Sequence, residues 1–169
     1  GRRWNGHRLR TLVAMDATLP LVLTGGLASG INAYLVVLLT GLLGRFGGIE
    51  GVPDALERTD VLVAAGALYA IEFVTDKIPY VDSLWDSIHT IIRPAIGATL
   101  GALLAGDASS LGQAFYAATG GASALASHTV KAGFRMAVNT SPEPISNVTT
   151  SVAEDIGVVG AFIVEPALL

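Results

Sequence analysis

Cysteine is absent, and with it any disulfide framework, thiolate nucleophile or Cys-ligated zinc or iron–sulfur centre. Redox chemistry therefore says nothing about the compartment. Charge is scarce too: Asp, Glu, Lys and Arg make up 14% of the chain, against about 25% in a soluble domain. Lipid imposes such a deficit, because a charge at the bilayer centre is costly unless it is paired or hydrated. The net charge of −4 is mild and no basic tract stands out, which argues against a nucleic-acid partner. The phosphate-binding G-x-x-x-x-G-K-[ST], the nucleophile elbow G-x-S-x-G and the zinc-binding H-E-x-x-H are all missing. Asp82 and Asp86 form a D-x-x-x-D pair but lack the Gly-Ala-Arg frame of the lipid-headgroup alcohol phosphotransferases. An enzyme is the least favoured class, and the sequence names no cofactor.

What is present is apolar. Half of the 169 residues (51%) are hydrophobic, with a mean hydropathy of +0.59. The length suits one unit: a basic cytoplasmic segment over 1–17, then a single transmembrane helical domain over 18–169. Four arginines in Gly1–Arg10 ahead of an apolar run imitate a secretory signal. The run from Thr18 to Leu43 is too long for a signal core of roughly 7–15 residues. A crossing needs about 20 mostly apolar residues, and five windows qualify: 19–43, 61–74, 91–104, 111–130 and 148–169. The second and third are short and reach bilayer length only with charged ends sheltered in protein. The first is too long for an upright helix, so it is tilted or broken near Gly25-Gly26.

Lysine and arginine in short loops set the orientation. Five crossings with the N-terminus inside put Arg2, Arg3, Arg8, Arg10, Lys77, Arg93, Lys131 and Arg135 on the cytoplasmic side. Only Arg45 and Arg58 fall outside, and the end of the last span lies outside as well. Gly106–Ser110 is a tight turn pairing the third and fourth spans, Asn139–Asn147 a proline-stiffened inner loop, and Ser151–Asp155 the opening of the last helix. Gly26/Gly30, Gly97/Gly101 and Ala118/Ala122 repeat the small-x-x-x-small spacing that lets helices approach closely, within one bundle or between copies. A faint T-G-G echo at Thr24 and Thr119 runs in opposite directions under this topology, as an inverted repeat does.

Polar side chains within or beside spans are the candidate functional residues, since lipid tolerates them only when paired or used. Asp82, Asp86, His89 and Arg93 recur at helical spacing, opposite Val81, Leu84, Trp85, Ile88 and Ile92. The simplest reading is an interfacial amphipathic helix over Tyr80–Thr90, its Tyr and Trp at the headgroups. Sharper readings are a cation site at Asp82, Asp86 and His89, completed by Glu72 or Asp76, or a proton relay through the same groups. His128, Lys131 and Arg135 share another helical face. As a positive cuff, Lys131 and Arg135 snorkel to lipid phosphates; the alternative is an anionic headgroup or substrate. His128, the deepest, reads first as a hydrogen-bonded structural residue and second as a metal or pigment ligand. Glu154 and Asp155, with Glu143 in the preceding loop, are expected to pair with Lys131 and Arg135. Asn32 is placed to hydrogen-bond to this network or to a solute.

The strings N-A-Y-L at Asn32–Leu35, E-F-V-T-D-K-I-P-Y-V-D-S-L-W-D-S-I-H-T at Glu72–Thr90, S-H-T-V-K-A-G-F-R at Ser127–Arg135, and N-T-S-P-E-P-I-S-N resemble a small bacterial membrane-protein family. It is the domain-of-unknown-function family four-one-two-six. The resemblance covers nearly all of the chain after about Leu19. It implies the membrane architecture and no activity. The expected fold is all-α, a polytopic bundle of about five transmembrane helices plus one amphipathic interfacial helix, in the inner (plasma) membrane with a cytoplasmic N-terminus. The expected partners are the lipid bilayer and either further copies or a larger membrane complex. The function expected is a small-solute or ion transport component, with a non-catalytic accessory subunit as the alternative.

Overall fold

Helix fills the apolar windows as far as Val164, and it is the only regular structure among the described residues. These are 5–78, 80–140 and 144–164 of a computed structural model, with side chains described from Thr18 onward, Pro144 excepted. The helices are α1 (Asn5–Gly47), α2 (Asp54–Glu57), α3 (Thr59–Thr75), α4 (Val81–Leu104), α5 (Ser110–Asn139) and α6 (Pro144–Val164). Three are long and apolar enough to cross a membrane: Thr18–Gly47 of α1, α4, and Ile145–Val164 of α6. α3 has only 17 residues, and α5 is diluted by Gly, Ser and Thr and by His128, Lys131 and Arg135. The chain is an all-α, multi-helix membrane protein.

α4 corrects the interfacial helix expected at Tyr80–Thr90. Those residues are the first half of one continuous helix, and their orientation is inverted. Asp82, Asp86, His89 and Arg93 are buried, in line with Gly97, Leu100 and Gly101, while Leu84, Ile88 and Ile91 are exposed. α5 repeats the pattern: Tyr116, Gly120 and Ala124 are buried in one half, His128, Lys131, Arg135 and Asn139 in the other. Leu111, Phe115, Val130 and Phe134 face outward. An amphipathic helix in water turns its apolar face inward; in a bilayer the outside is the apolar phase, so the polar face turns inward.

Contacts fix the direction of each helix. α5 runs antiparallel to α4: Gly101 meets Tyr116, Gly97 meets Gly120, Arg93 reaches His128 and Asp82 meets Asn139. α6 runs antiparallel to α5, with Glu154 on Arg135 and Asn147 on Asn139. It also runs antiparallel to α3, with Asp155 on Tyr69 and Ser151 on Lys77. α3 and α5 are therefore parallel to each other. Up to Ile31, α1 is parallel to α5, Gly26 lying on Gly120 and Ser123, and Gly30 on Ala124 and Ser127. Beyond Asn32 it is antiparallel to α3, Leu38 opposite Gly66 and Gly41 opposite Leu62. The two arms of α1 thus point in opposite senses.

The reversal happens at Asn32, which leaves helical geometry (φ −147°, ψ 93°). Leu21, Thr24 and Gly25 of the first arm line the same cavity as Val36, Thr40 and Leu43 of the second. On a straight helix Leu21 and Leu43 would stand about 33 Å apart. α1 is a hairpin that enters and leaves the bundle by one face, called proximal below. The starts of α3 and α5 and the ends of α4 and α6 share that face; the turns after Thr75 and Asn139 lie at the opposite, distal face. Hydropathy counts the first window as one pass and sets the two ends of the bundle on opposite faces; the doubled-back α1 sets them on the same one. The break falls at Asn32 and not at Gly25-Gly26. The T-G-G segments at Thr24 and Thr119 run in the same direction. α6 also starts earlier than Ser151, so Glu154 and Asp155 sit in mid-helix.

Small residues make the seams. A Cβ added at Gly26, Gly30, Gly97 or Gly101 would meet α5 backbone, so both G-x-x-x-G pairs serve packing within one bundle. The α5 side of the seam is Gly120 and Ala124, both buried, while Ala118 and Ala122 are exposed. The spacing was legible at Ala118/Ala122; the face was two residues off.

A buried charge network beneath the helix break

The break in α1 frees backbone groups in mid-bundle, and the network grows from their needs. The last carbonyls of the first arm carry the negative end of its dipole. The Gly30 carbonyl accepts from Arg93 Nη1 at 3.2 Å, the Ile31 carbonyl from Lys131 Nζ at 2.9 Å and the Leu27 carbonyl from Ser127 Oγ at 2.7 Å. At the start of the second arm, Asn32 is a true N-cap: its Oδ1 accepts from the Leu35 amide at 3.0 Å. Its Nδ2 donates to Asp155 Oδ1 at 3.0 Å, and Tyr69 Oη donates to the other oxygen of Asp155 at 3.3 Å. A carboxylate thus meets the positive end of one half-helix, and two cations meet the negative end of the other.

From there the charges interlock toward the distal face. Lys131 Nζ lies 2.9 Å from Asp76, 3.3 Å from Glu154, 3.9 Å from Glu72 and 4.0 Å from Asp86. Arg135 grips Glu154 with two nitrogens, at 2.6 and 3.2 Å, and donates to the Asp76 carbonyl that ends α3 at 2.6 Å. It also stands 3.6 Å from Asp82, which accepts twice from Asn139 Nδ2 and once from the Ser83 amide. Asn147 donates to Asn139. Arg93 bridges Glu72, Asp86 and His128 Nδ1. His128 Nε2 meets Thr90 Oγ1 at 3.1 Å. His89 joins Tyr34 Oη at 2.9 Å and the Trp85 carbonyl at 2.8 Å, its ring edge-on to Tyr34. At the distal rim, Lys77 donates to the Phe73 carbonyl and to Ser151 and sits over the Phe73 ring; burial holds its ammonium below the usual lysine range.

Twelve residues expected from the sequence are brought into or beside this one network: Asn32, Glu72, Asp76, Asp82, Asp86, His89, Arg93, His128, Lys131, Arg135, Glu154 and Asp155. Glu143 lies outside the described residues. Lys131 and Arg135 do not snorkel; Arg135 is fully buried and Lys131 nearly so. The expected pairing with Glu154 is present for both, whereas Asp155 serves Asn32 and Tyr69 instead. Asp82, Asp86 and His89 do not converge on one point, each turning to a different partner. Among the described residues no three His, Asp or Glu gather at metal-ligand spacing. Sequence reasoning missed Tyr34, Tyr69, Thr90, Asn139 and Asn147. Asn139 lies one turn beyond Arg135 on the stripe already traced, which was the available signal; the tyrosines gave none.

Two spaces adjoin the network. The cavity of about 130 Å³ between the arms of α1 is apolar and is also lined by Leu100, Leu104 and Phe162. A groove walled by Leu27, Ile31, Val130 and Phe134 reaches Lys131 and Glu154 from the side.

A family model described as domain of unknown function (DUF4126) matches residues 19–167 of the chain. No curated protein and no solved structure matches it.

Proposed function

Because the chain belongs to the DUF4126 family, whose description assigns no activity, we propose a function from the site itself: a membrane component that passes a small solute or ion through the break in α1. The observation that carries this reading is the break at Asn32, with cations at the end of one half-helix and Asp155 at the start of the next. Non-helical backbone at membrane depth is tolerated only inside protein or along a cavity, and opposed half-helix ends recur where transporters hold cargo. The pathway runs from the cavity between the arms, past Asn32, into the acids and bases that end at Asp82 and Asn139.

In this reading α3, α4, α5 and α6 cross the bilayer and α1 dips in from one side. Arg45 and Arg58 then lie on the proximal face, while Lys77 alone among the described residues marks the distal rim. The positive-inside rule makes the proximal face cytoplasmic, in the bacterial inner membrane. The test is flux in proteoliposomes holding an entrapped pH-reporting dye, under an imposed gradient. Wild type should dissipate the gradient, and Asp86→Ala and His128→Ala should not while remaining folded. Leakage equal to protein-free vesicles, or unchanged in both variants, refutes the pathway.

The second reading is a non-catalytic subunit of a larger complex. One observation favours it: Glu154 caps Lys131 and Arg135 together, as a purely structural clamp would. Native mass spectrometry of gently extracted protein separates the two, since a subunit retains partners at fixed stoichiometry.

A further inference from the structure

The network does not balance. Among the described residues, Glu72, Asp76, Asp82, Asp86 and Glu154 face only the cations Arg93, Lys131 and Arg135. Adding the rim groups Asp155 and Lys77 leaves the same excess of two acids. The histidines do not remove it. His128 Nδ1 lies 2.8 Å from Arg93 Nη1; a guanidinium only donates, so that nitrogen holds a lone pair and the ring is neutral. His89 donates from Nδ1 to the Trp85 carbonyl, and its Nε2 faces Tyr34 Oη, a group able to donate or accept. As an imidazolium, His89 cancels one excess charge and no more. At least one buried carboxyl is therefore left without a matching cation.

Hydrogen bonding shows which. Asp76 and Glu154 both touch Lys131 and Arg135, and Asp82 accepts from Asn139 and Ser83. Glu72 and Asp86 compete for Arg93, with Lys131 no nearer than 3.9 Å to either. Asp86 is 3% exposed, and neither of its oxygens receives a hydrogen bond. Its Oδ1 is 3.0 Å from Arg93 Nη1, but both protons of that nitrogen are engaged, one by the Gly30 carbonyl and one by His128. Glu72 Oε2 is equally without a partner.

We propose that Glu72 and Asp86, facing each other across Arg93, form a proton-binding site, one held as a carboxylic acid and the other as a carboxylate. The step is a simple exchange: one carboxyl O–H bond forms or breaks, and the proton passes to or from water. Two carboxylates sharing one cation cannot both keep their charge in a dry interior, and among the described residues no third ligand converges to hold a metal ion instead. The site rests on the transport reading only for its use, as the place of a coupling proton; its occupancy stands without it.

Infrared spectroscopy of the full chain in lipid nanodiscs tests the proposal. At neutral pH the wild type should show the carbonyl band of a buried carboxylic acid, sensitive to deuterium exchange. Glu72→Gln leaves Asp86 as the sole anion on Arg93 and should abolish the band; Asp86→Asn should do the same through Glu72. Both variants replace an acid by its neutral isostere, so a failure of one to fold leaves the other to report. No band in the wild type, or a band surviving in both variants, overturns the proposal. A band that disappears on adding sodium or potassium chloride at fixed pH overturns it too, in favour of a metal cation. Flux is read separately, so a band without flux keeps the proton site and removes the transport reading.

Discussion

Asn32 does two jobs with two atoms, and substitutions separate them. Asn32→Ala removes the cap on the Leu35 amide, a loss of about 1 kcal/mol, and strips Asp155 of a buried donor, a further loss of about 1.5–3 kcal/mol. The sum is about 2.5–4 kcal/mol, a large fraction of the stability of a domain this size. Asn32→Ser keeps a capping oxygen but cannot reach Asp155, so it should recover about 1 kcal/mol of the loss. Asn32→Asp also keeps the cap but places a second carboxylate 3.0 Å from Asp155 in place of a donor. It should be the worst of the three at neutral pH and regain stability as the pH falls, since protonating one acid of a like-charged pair restores a donor. Denaturation by a graded detergent series, followed by circular dichroism, measures the order. Refutation would be Asn32→Ala within about 0.5 kcal/mol of wild type, or Ser no better than Ala.

Further outcomes follow from the seams, the clamp and the hairpin. Gly120→Ala sets a methyl against the Gly97 backbone and should cost about 1–3 kcal/mol by overpacking, while exposed Ala118→Leu stays within about 0.5 kcal/mol in the same denaturation assay. Arg135→Met leaves Glu154, Asp76 and Asp82 facing an apolar chain and should cost about 3–5 kcal/mol. Because the chain has no cysteine, Leu23→Cys and Leu42→Cys can carry spin labels directly. A straight α1 would hold these sites about 28 Å apart, and the hairpin requires a much shorter distance by pulsed resonance. Gly25 is buried, lines the cavity between the arms and has nothing within 4 Å of an added Cβ. Gly25→Leu should keep wild-type stability to within about 1 kcal/mol and lose flux in the vesicle assay.

Much of the site was legible because helical spacing survives any environment. Asp82, Asp86, His89 and Arg93 line one face wherever the helix lies, and so do His128, Lys131 and Arg135. The direction of those faces was not legible, because an amphipathic pattern does not name the phase on its apolar side. A stripe read as water-facing proved to be the interior, and a positive cuff proved to be the hub of an ion network. The break at Asn32 was missed for a different reason. Glycine pairs signal flexibility, so suspicion fell on Gly25-Gly26, yet those glycines serve close packing and the cavity. The stronger signal was Asn32 ahead of an apolar run, the mark of a helix start, overlooked because the run already looked helical. Counting charges by loop assumed that α1 makes a single pass, and its doubling back at Asn32 removes that premise.

The hairpin also constrains how the molecule is made. Its apex carbonyls wait for Arg93 on α4 and Lys131 on α5, and Asn32 waits for Asp155 on α6. The first of these helices to leave the ribosome is thus completed by the last. Until α4 and α5 arrive the Gly30 and Ile31 carbonyls lack their cations, and until α6 arrives the Asn32 amide lacks its acceptor, so the hairpin is completed only when the whole bundle is in place. A chain truncated before α6 would keep both carbonyl partners and lose the Asp155 acceptor of Asn32 together with the Glu154 clamp on Lys131 and Arg135.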